Sequence, residues 1–197
     1  ASARNTARQG RFHADSRLDF ADQAQLDDYR RSGYDRGHMS PSGDMPNPRA
    51  QQQSFSLANM VPQAGVLNRG VWADIETAVR TLATRRGELY LVTGPVFQGG
   101  QIQSIGGNGV LVPTSIWKAV YDPRTGAGAY MCTNTATPKC SILSVAALTG
   151  AVGIDPFPAL SDRVKQRAIT LPKPENNRYA RHQPPRPHGL LERLLGR

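Results

Sequence analysis

The clearest periodicity in the chain lies between Asn68 and about Arg86. Here Val71, Ile75, Ala78, Val79 and Leu82 form one apolar stripe at helical spacing. Asn68, Trp72, Glu76 and Arg80 form a second ladder at i, i+4, which drifts only about 40° per step beside that stripe. The pattern predicts a helix that packs its apolar side on a core and presents an amide, a carboxylate and a guanidinium to one cleft. A solvated Glu76–Arg80 pair, worth roughly a few tenths of a kcal/mol, is the plainer account of the same spacing.

Downstream, residues 88–96 read as a buried strand ended by Gly94-Pro95. Residues 99–109 are glycine-rich and lack the Gly-Lys-Ser/Thr of a nucleotide loop, which leaves a hairpin or a loop. Residues 110–113 and 116–121 continue as strand, turn at 122–126 and return antiparallel at 127–131. Residues 144–148 are open between strand and short helix, with Thr149-Gly150 as the next break, and a helix-like segment follows at 161–168. Upstream, 32–39 is a strand with glycines on both sides of its charged cluster, and 40–49 is a loop. Residues 51–60 are open between strand and short helix, and any helix there ends before Pro62, which biases Val61 to extended geometry. Residues 1–31 carry few apolar anchors (Phe12, Leu18, Phe20, Leu26) and read as an irregular arm with a turn at Asp27-Asp28. The fold expected is α+β, a central antiparallel sheet flanked by helices, in a single domain over 1–197.

Composition adds direction rather than fold. A formal net charge of +9 and a pI near 10.2 bias the surface towards polyanions. Residues 163–197 hold nine Lys/Arg against two acids, and several prolines keep the stretch from about 170 to 197 extended. That basic tail is open between a nucleic-acid tether and a plain disordered terminus. No run approaches the roughly 18 apolar residues of a membrane helix, so no membrane partner is expected. Cys132 and Cys140 are the two cysteines, separated by a Thr/Asn/Pro-rich stretch that a local disulfide closes easily. Such a bridge points to a secreted or periplasmic location, and a reduced cytosolic pair is the alternative. The set Cys132, Cys140, His182 and His188 matches no zinc-finger spacing, and no Gly-x-Ser-x-Gly elbow is present.

The chemistry gathers around Tyr34-Asp35-Arg36-Gly37-His38, followed by Asn59-Met60-Val61-Pro62-Gln63, Asn68-Arg69-Gly70-Val71-Trp72 and the run from Glu76 to Arg80. A histidine suits general-base work near neutral pH, an amide oxygen suits a hard cation, and guanidinium groups match phosphate. In order and spacing these motifs resemble the DNA/RNA non-specific endonucleases, the ββα-metal group that includes secreted bacterial nucleases and mitochondrial endonuclease G. Thr93-Gly94-Pro95-Val96-Phe97 and the run from Val112 to Lys118 match the same pattern, and the run from Arg8 to Asp15 matches more loosely.

The resemblance implies a ββα-metal motif and metal-dependent endonucleolytic cleavage of DNA and RNA, leaving 5′-phosphate ends. It implies His38 as general base and Asn68 as the direct ligand of Mg²⁺, with Mn²⁺ or another divalent cation as substitutes. Glu76 orients metal-bound water, while Arg36 and Arg80 clamp phosphate. Arg8 matches a further family arginine, and Arg11 competes for that position. Asn59 and Gln63 hold water and loop geometry, Asp35 orders its neighbours, and Trp72 packs the helix. His38 and Asn68 must then address one phosphate. An inhibitor or immunity protein is a compatible partner, and a dimer a compatible assembly. Two other readings remain: a nucleic-acid binding protein on an inactive scaffold, and an antibacterial nuclease toxin with the same chemistry.

Overall fold

The computed structural model describes residues 10–173. Arg8, the tail from 174 onwards, His182 and His188 lie outside them. The main sheet has four antiparallel strands in the order β3 (Tyr90–Val96), β6 (Ser115–Asp122), β7 (Gly126–Thr133) and β8 (Cys140–Leu143). Two small ribbons stand beside it. One is β1 (Tyr34–His38) with β2 (Met60–Ala64), the other β4 (Ser104–Ile105) with β5 (Val110–Leu111). Five α-helices, beside four short 3₁₀ turns, complete the described chain: α1 (Pro48–Ser54), α2 (Gly65–Arg69), α3 (Val71–Arg86), α4 (Val145–Val152) and α5 (Asp162–Lys165). The expected α+β architecture, a sheet covered by helices on both faces, is what forms.

Strand alternation explains the two cores. On β6, Ile116 and Val120 face α3 and meet Leu67, Trp72, Ile75, Val79, Tyr130 and Cys132. Trp117 and Ala119 point the other way, onto Val145, Leu148 and Phe157 of the segment containing α4. A third cluster, Tyr29, Leu57, Met60, Ile105 and Val112 with Phe12 and Tyr34 against it, fastens the β1–β2 ribbon to the N-terminal arm and the β4–β5 hairpin.

Local expectations are corrected at the 68–86 helix, the 149–150 break, the 88–96 strand and the 40–49 loop, and the two open segments, 144–148 and 51–60, take definite form. The helix from Asn68 to Arg86 is broken at Gly70, whose φ of −108° and ψ of −119° are non-helical. A Cβ there would lie 2.4 Å from the Val66 carbonyl oxygen, so the break and the glycine go together. Asn68 therefore sits on α2 rather than on a continuous ladder with Trp72, Glu76 and Arg80. Residues 144–148 are helical, because Ser144 caps α4 by accepting from the Ala147 N–H, and that helix runs past Thr149-Gly150 to a left-handed Gly153. β3 is an edge strand rather than a fully buried one, with Tyr90 50% and Leu91 38% exposed. The 40–49 loop passes into α1 at Pro48, capped by the Asn47 side chain on the Ala50 N–H, so the open segment 51–60 begins as helix and ends as strand. The expected local disulfide is present between Cys132 and Cys140, which face each other across β7 and β8.

Gly37 is the tightest point of the β1–β2 ribbon. A Cβ on it would lie 1.9 Å from Gln63 Oε1 and 2.7 Å from Gln63 Cβ, and Gln63 is fully buried. Gly37→Ala is expected to remove on the order of 1–3 kcal/mol of stability by overpacking this contact. The loss should appear in thermal denaturation as a midpoint several degrees lower. An unchanged midpoint would show that the ribbon opens without cost.

Candidate active site

The ribbon's two faces divide the candidate residues. With a side-chain period of two, Asp35 and Gly37 share one face of β1, while Tyr34, Arg36 and His38 share the other. On the first face the Asp35 carboxylate receives the Asn68 Nδ2–H at 3.0 Å and pairs with Arg69 Nε at 3.0 Å. A carboxylate only accepts, so this contact turns the amide's NH₂ towards Asp35 and its Oδ1 away. That oxygen accepts no hydrogen bond among the described residues. Asp35 thus holds Asn68 and Arg69 at one carboxylate oxygen.

On the second face the His38 ring stands edge-on to Phe55 at 5.1 Å and tilted against Phe12 at 5.9 Å. The Arg36 guanidinium lies over the Phe12 ring, 4.4 Å from its centroid. Asn59 clasps the chain immediately after His38. Its Oδ1 accepts from the Ser40 N–H at 3.0 Å, and its Nδ2 donates to the carbonyls of Ser40 and Ser54 at 2.9 and 2.8 Å. The Asn59 carbonyl also accepts from the Met39 N–H. The whole Asn59 amide is spent on backbone, which makes it a fastening of the loop. Gln63 packs under Gly37, and neither end of its amide has a hydrogen-bond partner among the described residues.

Helix α3 contributes a third group. Trp72 is core, 1% exposed, as the sequence reading held. Arg80 Nε donates to Asp44 Oδ1 at 2.5 Å, so this guanidinium is already engaged. Lys118 projects from the α3-facing side of β6, only 2% exposed, with its ammonium donating to Thr93 Oγ1 at 2.7 Å and lying 5.6 Å from the Trp72 ring centroid. Burial raises the Glu76 carboxyl to about 7; Lys118, Arg80 and the Trp72 indole oppose the rise, and Asp44 adds to it. Burial lowers Lys118, against the pull of Glu76 and Asp44. A cavity of about 440 Å³ opens here, lined in part by Met39, Ser40, Asp44, Asn59, Thr93 and Lys118. It begins at the residue after His38.

The fold therefore brings Asp35 to Asn68, Arg36 and His38 to one pair of aromatic rings, and Glu76 and Arg80 to one charged cluster. Asn68 itself belongs to α2 and reaches the ribbon at Asp35, three residues before His38. Sequence reasoning passed over Lys118, Asp44 and Phe12 as parts of this arrangement. Lys118 left a signal: it alternates with Ile116 and Val120, so a charged side chain occupies an inward strand position. Asp44, in a proline-rich loop 36 residues from Arg80, left none.

The donor set bears on the metal. Among the described residues, no group of three or more His, Cys, Asp or Glu is placed to hold an ion. A single amide oxygen with no hydrogen bond among the described residues fits a hard divalent cation that retains most of its water, and does not fit a zinc cage.

A model of the DNA/RNA non-specific endonuclease family matches residues 1–163. Nuclease C1 of Cunninghamella echinulata var. echinulata is 38% identical over 113 residues, 52% of this chain and 44% of that one. The mitochondrial nuclease EXOG of Danio rerio is 32% identical over 143 residues, 64% and 42% of the two chains. Mitochondrial endonuclease G of Bos taurus is 33% identical over 119 residues, 55% and 40%. The matched stretch thus spans less than half the length of each of these relatives. Among solved structures, a chain of the EndoG/EndoGI complex superposes with a TM-score of 0.72 at 26% identity, covering 79% of this chain and 72% of that one.

Lys118 is the cation that opposes the upward shift of Glu76 most strongly. Lys118→Met, which keeps length and removes charge, is therefore expected to move the Glu76 titration midpoint further upwards. Carboxyl ¹³C shifts followed across pH check this; a midpoint that stays put or falls would show that the two groups do not interact.

Proposed function

Since the chain belongs to the DNA/RNA non-specific endonuclease family, whose model covers residues 1–163, we propose that it hydrolyses phosphodiester bonds of DNA and RNA with little selectivity for sequence or sugar. The observation that carries this reading is the Asp35–Asn68 contact, which presents an unused amide oxygen three residues along the strand from His38. Asp35 and His38 are three extended residues apart, roughly 10 Å. The proposed seat of the scissile phosphate is the end of β1, where His38 closes the strand and the cavity begins.

Each side chain then has a task. His38 takes a proton from the attacking water as the new P–O bond forms. The P–O3′ bond breaks, and the 5′ end keeps the phosphate. Arg36 pairs with non-bridging oxygens, since its guanidinium meets no carboxylate among the described residues. Arg80 gives its Nε–H to Asp44 and has its terminal N–H groups for a second phosphate contact. Asn68 Oδ1 is the proposed ligand of a divalent cation, Mg²⁺ or Mn²⁺, and Glu76 the carboxylate that orients the surrounding water. Such a cation, when bound, neutralises phosphate charge and stabilises the leaving oxygen. Arg8 remains a proposed further phosphate contact. Backbone recognition explains the tolerance for sequence, because phosphates carry no direct sequence information, and the net charge of +9 suits a polyanionic substrate.

The Cys132–Cys140 bridge supports a secreted or periplasmic setting, while several relatives bear mitochondrial names. Among the described residues no helix is long and apolar enough to cross a membrane. The solved EndoG/EndoGI complex supports a protein inhibitor as a further partner.

Supercoiled plasmid and single-stranded RNA, each incubated with Mg²⁺ and with excess chelator, provide the test. The wild type is expected to cut both, the chelator to stop it, and His38→Ala to slow cleavage about 10²- to 10⁴-fold. Cleavage undiminished in His38→Ala would remove the base assignment; intact substrates across several divalent metals would remove the activity.

A further inference from the structure

A phosphate clamp has to be held in place without spending the N–H groups it needs for phosphate. Arg80 is held by a carboxylate, which takes its Nε–H. Arg36 is held differently, with its guanidinium carbon 4.4 Å above the centre of the Phe12 ring. Stacking on a π face fixes the plane of a guanidinium and leaves its in-plane N–H edge turned outwards. The same ring lies 5.9 Å from the His38 ring at an interplanar angle of 49°. Arg36 and His38 share one face of β1, which is why a single side chain reaches both.

Phe12 is itself firmly placed. Phe55, 1% exposed, meets Phe12 at 5.0 Å and His38 at 5.1 Å. On one side of Phe12, the Gln52 side chain accepts from the Arg11 N–H at 3.3 Å and donates to the Arg11 carbonyl at 3.1 Å. On the other, the His13 N–H donates to the Phe55 carbonyl at 3.2 Å, and the His13 carbonyl accepts from the Leu57 N–H at 2.8 Å. Gly10 lies so close to Phe55 that a Cβ on it would come within 1.8 Å of the ring. Four hydrogen bonds thus bracket the one residue of the arm that touches both groups.

We propose that Phe12 is a positioning residue, which sets Arg36 and His38 in one geometry through its ring, and that the arm carrying it is an integral part of the site. The proposal rests on the reading of Arg36 as clamp and His38 as base. A purely structural role would ask only for apolar volume at position 12.

Phe12→Leu keeps apolar volume and removes the π face; Phe12→Tyr keeps both. With plasmid and Mg²⁺, Phe12→Tyr is expected within about twofold of wild type, while Phe12→Leu lowers kcat by about 5- to 30-fold with KM little changed. Both variants should melt within a degree or two of one another. If the two variants lose kcat alike, or if neither loses any in a wild type that cuts plasmid, the proposal falls and the nuclease reading stands. A second readout needs no cleavage. In ¹⁵N-labelled protein the Arg36 Nε–H resonance should carry a ring-current shift in wild type and Phe12→Tyr that is lost in Phe12→Leu. Gln52→Ala, which releases Arg11 and a contact to the His13 ring but leaves Phe12, Phe55 and His38 in place, should reduce that shift if Phe12→Leu does not fold. An Arg36 resonance unmoved by these changes overturns the proposal even if the wild type proves inactive.

Discussion

A two-stranded antiparallel ribbon does not stand alone in water, and the β1–β2 ribbon is under that constraint with charged residues on both of its faces. Its stability comes from what covers it. On one side, α2 grips Asp35 through Asn68 and Arg69, while Val61 packs towards the α3 core. On the other, Met60 and Tyr34 join the cluster that includes Phe12, Ile105 and Val112. The close approach of Gly37 and Gln63 keeps the strands themselves together. The groups proposed for chemistry are thus also the surface by which the ribbon is attached, and their placement is as rigid as the attachment.

The second constraint is electrostatic. Lys118 and the carboxyl of Glu76 are withdrawn from water, and burial opposes the charged form of each. They lie in one field with Asp44 and Arg80, so a charge change at any member is felt by the others. Because Asp44 comes from the loop after β1, Arg80 from α3 and Lys118 from β6, this cluster links the ribbon to the main sheet. Two of its members, Asp44 and Lys118, line the cavity that begins at Met39.

Much of this was legible in the sequence where a local pattern carries the information. The stripe at Val71, Ile75 and Val79 identified α3 and its buried side, and alternation identified β6 and β7. The order of motifs from Asp35 to Arg80 pointed to the family that the chain matches. Where tertiary contacts decide, the pattern fell short. The long helix is split at Gly70, where only a residue without a Cβ clears the Val66 carbonyl, and a periodicity count passes over a residue that fits either side of a break. The 144–148 segment is too short for its apolar run to separate strand from helix, and a serine cap makes it helix. Period two in β1 was readable, yet its consequence, that Arg36 and His38 look towards the arm while Asp35 looks towards α2, emerges only once the covering elements are known. The arm offered little beyond scattered apolar residues, and its attachment runs through backbone hydrogen bonds that no side-chain pattern encodes.

The disulfide has a consequence of another kind. Cys132 and Cys140 are opposite neighbours on β7 and β8, and β8 is the outer strand of the sheet, four residues long and largely exposed. A covalent link between opposite residues forbids the short strand from slipping along its partner, since a slip of one residue would turn its side chains to the wrong face. It also keeps β8 in place over β7, whose unpaired backbone would otherwise offer a template to a neighbouring molecule. Because the bridge closes only a short stretch of chain, its service is less to hold the whole fold than to keep one margin of the sheet from recruiting strangers.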